Sequence, residues 1–260
     1  MSSFLTRPPG ERAVALTIAG SDPSGGAGVQ ADLKTFHRFE VYGEAVITLL
    51  TVQNTRGVQR VEVLDPSLVE EQIRAVLEDI PPDAVKTGAL GNDAVAEAVA
   101  RALQGANFPV VIDPVMRSKL GASLGPILKM KAFLITPNLD EAAALAGFAV
   151  NDLESMRAAA AEIASMGMAN VLIKGGHLRD EPIDLLRTSD GRVHEFAAER
   201  IATRHTHGTG CTYSAAITAE LARGTALVEA VARAKRFVTE AIRTNPGLGG
   251  GEGPLNHFAR

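Results

Sequence analysis

Runs of consecutive apolar residues recur along this chain, and each run is followed by glycine or by polar residues. Because successive side chains of a strand point to opposite faces, a continuous apolar run is typical of a strand buried on both faces of a sheet. This pattern predicts buried strands over residues 13–19, 45–53, 84–88, 109–116, 132–138 and 171–177. Two further runs, residues 183–188 and 193–197, flank Asp190-Gly191 and predict a hairpin.

The segments between the runs are typical of helices, and several begin with a residue that can cap a helix. Asn92 and Asn138 are predicted N-caps, and Glu141 follows Asn138 at the spacing of a capping box. Helices are predicted after the loop of residues 20–28 and over residues 66–79, 92–103, 152–166, 212–223 and 227–244. Repeated strand-then-helix order predicts an α/β fold of three layers, a mostly parallel, doubly wound sheet with helices on both faces. Residues 1–260 are predicted to form a single domain.

Composition narrows the classes of partner. The 260-residue chain has a formal net charge of −4 and no tryptophan, which argues against nucleic acid or an anionic membrane as its main partner. Its one cysteine cannot form an intrachain disulfide, and the polar N-terminus lacks the layout of a signal peptide. We therefore expect a cytoplasmic protein.

The segment of residues 205–212, His-Thr-His-Gly-Thr-Gly-Cys-Thr, offers the clearest chemistry. Strand-like sequence precedes it and a strong helix former follows, so Gly208, Thr209 and Gly210 are predicted to lie on a turn that leads into a helix. Unpaired amides and the helix dipole at such a start bind anions. Cys211 would lie in the first turn, where its pKa should be lowered. Alternatively, the glycines form only a tight turn and Cys211 is a passive thiol.

Polar residues follow several other predicted strands: Gln53, Lys86, Asp113, Asn138 and Lys174. The carboxyl ends of parallel strands share one edge of a sheet, and ligands bind there in open α/β folds. The amide of Gln53 suits a planar heterocycle, since it can both donate and accept a hydrogen bond. Simpler alternatives remain open, because both lysines could be ordinary strand-end charges. Asp32 could likewise be a solvated acid in the first turn of its helix.

These motifs together resemble the ribokinase-like superfamily and, within it, the bacterial hydroxymethylpyrimidine/phosphomethylpyrimidine kinases of thiamine synthesis. The resemblance runs in order along nearly the whole chain. The matching segments are residues 19–35 (AGSDPSGGAGVQADLKT), 46–55 (VITLLTVQNT), 85–90 (VKTGAL), 111–116 (VIDPVM), 135–142 (ITPNLDEA), 174–177 (KGGH), 206–216 (THGTGCTYSAA) and 253–258 (GPLNHF).

The resemblance implies which residues bind the substrate. Asp32 and Gln53 would hydrogen-bond an aminopyrimidine, with Gly20 and Val115 beside it. Ala89 stands where this family is expected to carry a methionine against the pyrimidine, so the pocket wall would be looser. The connection formed by residues 117–135 is also shorter than expected of the family, which puts closure of a lid over the site in doubt.

The resemblance also implies residues for phosphoryl transfer. Gly208, Thr209 and Gly210 would form the anion hole, Cys211 would be the base, and Lys174 would meet the nucleotide phosphates. Thr209, Asp113 and Asn138 would contribute to the nucleotide site, and Asp113 and Glu141 would hold Mg²⁺ through water.

The implied activity is phosphorylation of 4-amino-5-hydroxymethyl-2-methylpyrimidine by ATP, followed by phosphorylation of the monophosphate to the diphosphate. A homo-oligomer, most simply a dimer, is expected. Two alternatives remain open: a pyridoxal or pyridoxine kinase on the same scaffold, and a non-catalytic pyrimidine-binding protein.

Overall fold

A computed structural model describes residues 11–115, 124–129, 132–176, 178 and 181–260. Strands and helices alternate along most of this part of the chain. The elements in chain order are β1 (Val14–Ser21), α1 (Gly28–Arg38), β2 (Tyr42–Asn54), β3 (Gly57–Val63), α2 (Pro66–Asp79), β4 (Ala84–Thr87), α3 (Asp93–Ala102), β5 (Val110–Ile112), α4 (Leu124–Lys129), β6 (Leu134–Ile135), α5 (Leu139–Ala146), α6 (Leu153–Ser165), β7 (Asn170–Ile173), β8 (Ile183–Arg187), β9 (Val193–Ala197), α7 (Thr209–Ala222) and α8 (Leu227–Arg243).

The described strands form one sheet in the order β3-β2-β1-β4-β5-β6-β7-β8-β9. The strands from β2 through β1, β4, β5 and β6 to β7 pair in parallel, whereas β3, β8 and β9 are antiparallel additions at the two edges. The carboxyl ends of the six parallel strands therefore share one edge, as the sequence pattern predicts.

Alternating strand residues supply two separate cores, one on each face of the sheet. On one face, Leu16, Ile18 and Ile112 pack with α2, α3, α5 and α6. On the other face, Val111 and Leu172 pack with α7 and α8, and a neighbouring cluster joins β1 to α1 and α7. The predicted three-layer, doubly wound fold is confirmed.

Capping residues define several helix starts as expected. The Asn92 side chain accepts a hydrogen bond from the amide of Val95, and Asp152 caps α6 in the same way. Helix α2 spans the predicted residues 66–79. None of the helices in the described part of the chain combines the length and apolarity that a membrane span requires.

Three predictions about elements were wrong or incomplete. Residues 198–206 contain no strand, although their sequence is strand-like; only an isolated bridge joins His207 to Pro254. The polar strand β3 was missed because its side chains are mostly exposed, so it lacks an apolar run. The strand predicted over residues 132–138 is only Leu134–Ile135. The expectation about residues 117–135 falls partly outside the described residues, because positions 116–123 and 130–131 are not among them.

Candidate active site

The start of α7 packs tightly against the loop that follows β1. Gly208 has φ 79°, and a Cβ added there would lie 1.8 Å from the carbonyl oxygen of Gly26. A side chain at position 208 would therefore force the loop and the helix apart. The glycine at position 208 allows this close contact. The contact places the first amides of α7 at the edge of the sheet where the parallel strands end.

Two strand ends meet in front of this helix start. Asp113 follows β5 and Lys174 follows β7, and Lys174 Nζ lies 2.7 Å from Asp113 Oδ1. A Cβ added to Gly210 would lie 3.3 Å from Lys174 Nζ and 3.6 Å from Asp113 Oδ2. The structure therefore brings Gly210, Lys174 and Asp113 together, as the sequence predicts. The Lys174 side chain keeps 14% of its surface exposed, so a ligand can reach its ammonium group.

Neighbouring charges keep this pair ionised. Burial alone would raise the pKa of Asp113, but the ammonium groups of Lys174 and Lys86 outweigh it and lower that pKa. Burial alone would lower the pKa of Lys174, but the carboxylates of Asp113 and Glu141 outweigh it and raise that pKa. A fixed cation consequently lies beside the helix start, where it adds to the positive potential of the dipole.

Asn138 and Glu141 form a capping box at the start of α5. The Asn138 side chain accepts the Glu141 amide at 2.9 Å, and Glu141 Oε2 accepts the Asn138 amide at 2.8 Å. Both residues thus cap helix α5, as the sequence pattern predicts. The charge of Glu141 also acts on Lys174, which shows that the two side chains are near neighbours.

A second lysine–aspartate pair lies deeper in the same region. Lys86 Nζ contacts Asp32 Oδ2 at 2.8 Å with both side chains fully buried, and the Thr17 hydroxyl donates to the same oxygen at 2.6 Å. Asp32 is therefore not a solvated first-turn acid, and Lys86 is not an ordinary strand-end charge. Asp32 Oδ1 has no hydrogen-bond partner among the described residues, so one acceptor in this sealed pair is unused.

The two members of the deeper pair respond to burial differently. Burial raises the pKa of Asp32, and the charge of Lys86 offsets only part of that shift. For Lys86, burial alone would lower the pKa, but the surrounding negative groups, led by Asp32, raise it strongly. Lys86 is therefore a permanent cation beneath the start of α7.

Cys211 lies in the first turn of α7, between the two pairs. The thiol accepts a hydrogen bond from the Gly28 amide and feels the charges of Lys86, Asp32 and Asp113. Although the residue keeps an exposed edge, burial raises the pKa of the thiol to about 11, and Lys86 only partly opposes that. The expectation that the helix start lowers this pKa was wrong, because desolvation outweighs the dipole.

Gln53 takes part in a polar network that the sequence analysis missed. Its Nε2 lies 3.2 Å from His207 Nε2, which also contacts Asp22 Oδ2 at 2.9 Å. The amides of Gly26 and Ala27 donate to the same Asp22 oxygen. Burial alone would raise the pKa of Asp22, but hydrogen bonds led by that from His207 lower it to about 2. The sequence signal that could have identified Asp22 is its position at a strand end, since it directly follows β1.

The remaining substrate-site candidates lie along the strands beside this network. A Cβ added to Gly20 would lie 2.6 Å from Leu49 Cδ1, and the Ala89 carbonyl accepts the Thr48 hydroxyl at 2.7 Å. Gly20 and Ala89 therefore both border β2. Val115 is half-buried, and its amide donates to the Asp113 carbonyl at 2.8 Å. No described contact joins these three residues to Gly210.

The carboxylates near Lys174 suit a magnesium ion that arrives with a nucleotide better than a metal ion bound by the protein alone. Within the described residues, no group of three or more histidine, cysteine, aspartate or glutamate side chains could hold a metal ion. Mg²⁺ commonly binds through one or two carboxylates together with substrate phosphates and waters. Asp113 and Glu141 on either side of Lys174 match that sparse pattern.

Comparison with known proteins identifies relatives of the whole chain. A family model described as phosphomethylpyrimidine kinase matches residues 22–256. The hydroxymethylpyrimidine/phosphomethylpyrimidine kinase of Staphylococcus aureus is 46% identical over 259 residues, covering 95% of this chain and 94% of that protein. The thiamine biosynthesis bifunctional protein ThiED of Geobacter sulfurreducens is 47% identical over 98% of this chain, which spans about half (54%) of that longer protein.

A solved kinase structure shares the fold. The pyridoxal kinase of Staphylococcus aureus in complex with ADP superposes with a TM-score of 0.89 at 36% sequence identity, covering 96% of this chain and 95% of that one. The nine-stranded sheet and its two helical layers are thus a ribokinase-like kinase fold. With the family model covering most of its length, the chain belongs to the phosphomethylpyrimidine kinase family.

Proposed function

We propose that this chain is an ATP- and Mg²⁺-dependent kinase of 4-amino-5-hydroxymethyl-2-methylpyrimidine. It phosphorylates the hydroxymethyl oxygen and then converts the monophosphate to the diphosphate. One observation carries the proposal: in a chain of this family, the Lys174–Asp113 pair lies against Gly210 at the start of a helix. Phosphoryl transfer depends mainly on positioning and charge neutralisation, and this arrangement supplies both.

The helix start and Lys174 bind the transferred group in this proposal. The backbone amides of Gly208 and Gly210 donate to the phosphoryl oxygens, the Thr209 amide joins them by giving up its bond to the Thr206 carbonyl, and Lys174 Nζ adds a charged donor beside them. Cys211 lies one residue further along α7 and accepts the hydroxyl proton of the substrate. Its raised pKa makes the thiolate a strong base but a scarce one at neutral pH.

The pyrimidine is assigned to the side of the site that holds Gln53. The Gln53 amide lies beside the His207–Asp22 contact, and its free edge can face the heterocycle. The unused acceptor Asp32 Oδ1 is suited to an exocyclic amine, although the substrate must displace the groups that now cover it. Gly20, Val115 and Ala89 would border the ring.

Asp113, Glu141 and Asn138 would hold the magnesium ion through water. When bound, Mg²⁺ neutralises negative charge on the phosphates. The chain's own contribution is the placement of carboxylates beside a lysine that has a fixed charge.

We further propose a cytoplasmic homodimer. Tyr42, Leu50 and Val52 of β2 are each about half exposed. Exposed apolar groups on one strand are typical of a contact with another chain. The lone cysteine is compatible with a reducing compartment.

Pyridoxal kinase activity is the second candidate, because the pyridoxal kinase of Staphylococcus aureus shares both the fold and 36% of the sequence. A coupled assay of ADP release separates the candidates when it is run with the hydroxymethylpyrimidine, its monophosphate and pyridoxal. We expect turnover with both pyrimidines and a kcat/KM for pyridoxal that is much lower. A preference for pyridoxal would replace the proposal, and pyrimidine binding without turnover would indicate a non-catalytic binding protein.

A further inference from the structure

A second cleft lies at the opposite end of the helices that form the candidate active site. Helices α1 and α7 both begin at that site and end at this cleft, where they meet α8. The rise of α7 alone separates the two by about 20 Å. The cleft encloses about 490 Å³, which is within the range of small-molecule sites.

Arginine dominates the lining of this cleft. The arginines come from three helices and the last described residue: Arg38, Arg223, Arg233, Arg236 and Arg260. Glu40 and Glu220 are the carboxylates of the lining, and Glu229, which contacts Arg233 and Arg236, adds a third, so five guanidinium groups face three carboxylates. An excess of two positive side-chain charges stands out in a chain whose formal net charge is −4. The patch is therefore local, and it attracts an anion that the rest of the surface repels.

Fixed partners hold some of these arginines in place. Glu220, whose side chain is only 5% exposed, contacts Arg233 at 3.3 Å, and Arg233 Nε donates to Glu229 at 2.7 Å. Arg223 donates to the carbonyl of Phe39 at 2.9 Å. These contacts leave most guanidinium N–H groups unused, because each guanidinium has five donors. A ligand therefore meets donors whose orientation is already set.

Helix capping explains part of the cluster but not all of it. Arg223 donates to the carbonyl of Phe39 at the end of α1, which is a capping role, and Arg38 Nε donates to the carbonyl of Ala259 in the C-terminal segment. Arg236 has only a 3.9 Å contact with Glu229, and within the described part of the chain it donates no hydrogen bond. The cluster thus holds more cationic donors than capping requires.

Aromatic side chains form an apolar wall on one side of the cleft. Phe39 and Phe237 stack edge to face at 5.1 Å and close one side. The cleft therefore combines a charged wall with an apolar one.

We propose that this cleft binds the diphosphate group of a small molecule. Guanidinium groups bind phosphoryl oxygens in pairs, and five guanidinium groups with an excess of two positive side-chain charges match a diphosphate better than the single charge of a carboxylate. The site is separate from the anion hole of α7, and the proposal does not depend on the identity of the kinase substrate.

Calorimetric titration with inorganic pyrophosphate tests the proposal on the full chain. Gly210→Val serves as the background, because its side chain fills the anion hole beside Lys174. In that background we expect one pyrophosphate to bind, and we expect Arg223→Gln combined with Arg236→Gln to abolish it. Arg74→Gln, an exposed arginine of α2, is the matched control and should change nothing. Inorganic phosphate should bind the same site more weakly.

Two further measurements separate loss of the site from loss of folding. The Arg223→Gln and Arg236→Gln pair in the wild-type background should retain ATP turnover, which shows that it folds. Arg236→Gln alone breaks no hydrogen bond to a described residue, and it should weaken pyrophosphate binding by about tenfold. Absence of binding in Gly210→Val, or binding that survives loss of both arginines, would overturn the proposal.

Discussion

Two lysine–aspartate pairs lie beneath the start of α7, and they differ in their access to ligand. The distances are nearly the same, 2.8 Å for Lys86–Asp32 and 2.7 Å for Lys174–Asp113. The first pair is sealed on all sides, whereas the second keeps its lysine partly exposed beside Gly210. Contact distance alone therefore does not separate the sealed pair from the open one; exposure and neighbouring charges do.

The carboxylates of the two pairs also differ in the direction of their pKa. Burial raises the pKa of Asp32, whereas Lys174 and Lys86 together outweigh burial and lower the pKa of Asp113. Two nearby cations together lower the pKa of Asp113, whereas the loss of water on burial dominates the pKa of Asp32. We infer that the open pair remains fully charged for phosphate and metal, and that the sealed pair supports the helix start from below.

Cys211 lies between the pairs, and its substitution should have the largest effect on turnover after that of Gly210→Val, which is considered last. Cys211→Ser should lower turnover by about 10²–10⁴, because a serine hydroxyl is a far weaker base. With the thiol pKa near 11, wild-type turnover should rise with pH across the neutral range, as the thiolate fraction grows. The serine variant should lose this rise, and Cys211→Asp should shift it to lower pH. A pH–rate profile measures both, and normal turnover in Cys211→Ser would assign the chemistry to the amides and Mg²⁺.

Breaking the sealed pair should reduce stability more than breaking the open one. Lys86→Met leaves Asp32 buried without its cation and should cost about 3–5 kcal/mol of unfolding free energy. Adding Asp32→Asn should restore most of that loss, because the buried charge is then removed as well. Lys174→Met is the matched control and should cost less, since water can reach that site. Urea unfolding compares these three variants with wild type, and equal losses for the two lysine substitutions would contradict the distinction.

Gln53→Ala should affect only the heterocycle side of the site. Loss of the amide should weaken pyrimidine binding by about 1–3 kcal/mol, the cost of an unpaired buried partner. ATP binding should hardly change, because Lys174 and Gly210 are untouched. Calorimetry with each ligand measures the two affinities, and an equal loss for both would make Gln53 a structural residue.

The opposite pKa shifts of the two aspartates predict opposite responses to acid. Asp113 has a lowered pKa, so its stabilising charge is present above pH 3.8 and is lost as the pH falls below that value. Asp32 has a raised pKa, so the folded state takes up its proton first and gains stability as the pH falls toward 3.8. Acid should therefore narrow the stability gap between wild type and Asp113→Asn, whereas wild type should gain stability relative to Asp32→Asn as the pH falls toward 3.8. Urea midpoints measured across this range test the prediction.

The fold was predictable because its strands are buried on both faces, which gives unbroken apolar runs. The exposed strand β3 gives no such run, and the strand-like residues 198–206 have no neighbouring strand to pair with. The open pair was predictable from strand ends, since Asp113 and Lys174 follow parallel strands at one edge. The pairing of Lys86 with Asp32 was not, because only the packing of α1 onto the sheet brings a helix residue to a strand residue. The pKa of Cys211 also depends on burial, which the sequence does not reveal.

The central claim is that the amides at the start of α7, with Lys174 beside Gly210, receive the transferred phosphoryl group, and Gly210→Val tests it most directly. A Cβ at position 210 would already lie 3.3 Å from Lys174 Nζ, so the larger side chain should close the hole to phosphate. We predict that ATP-dependent phosphorylation of the hydroxymethylpyrimidine is abolished, while calorimetry shows the pyrimidine bound with nearly wild-type affinity. Surviving turnover in Gly210→Val would contradict the account and place the transfer site elsewhere.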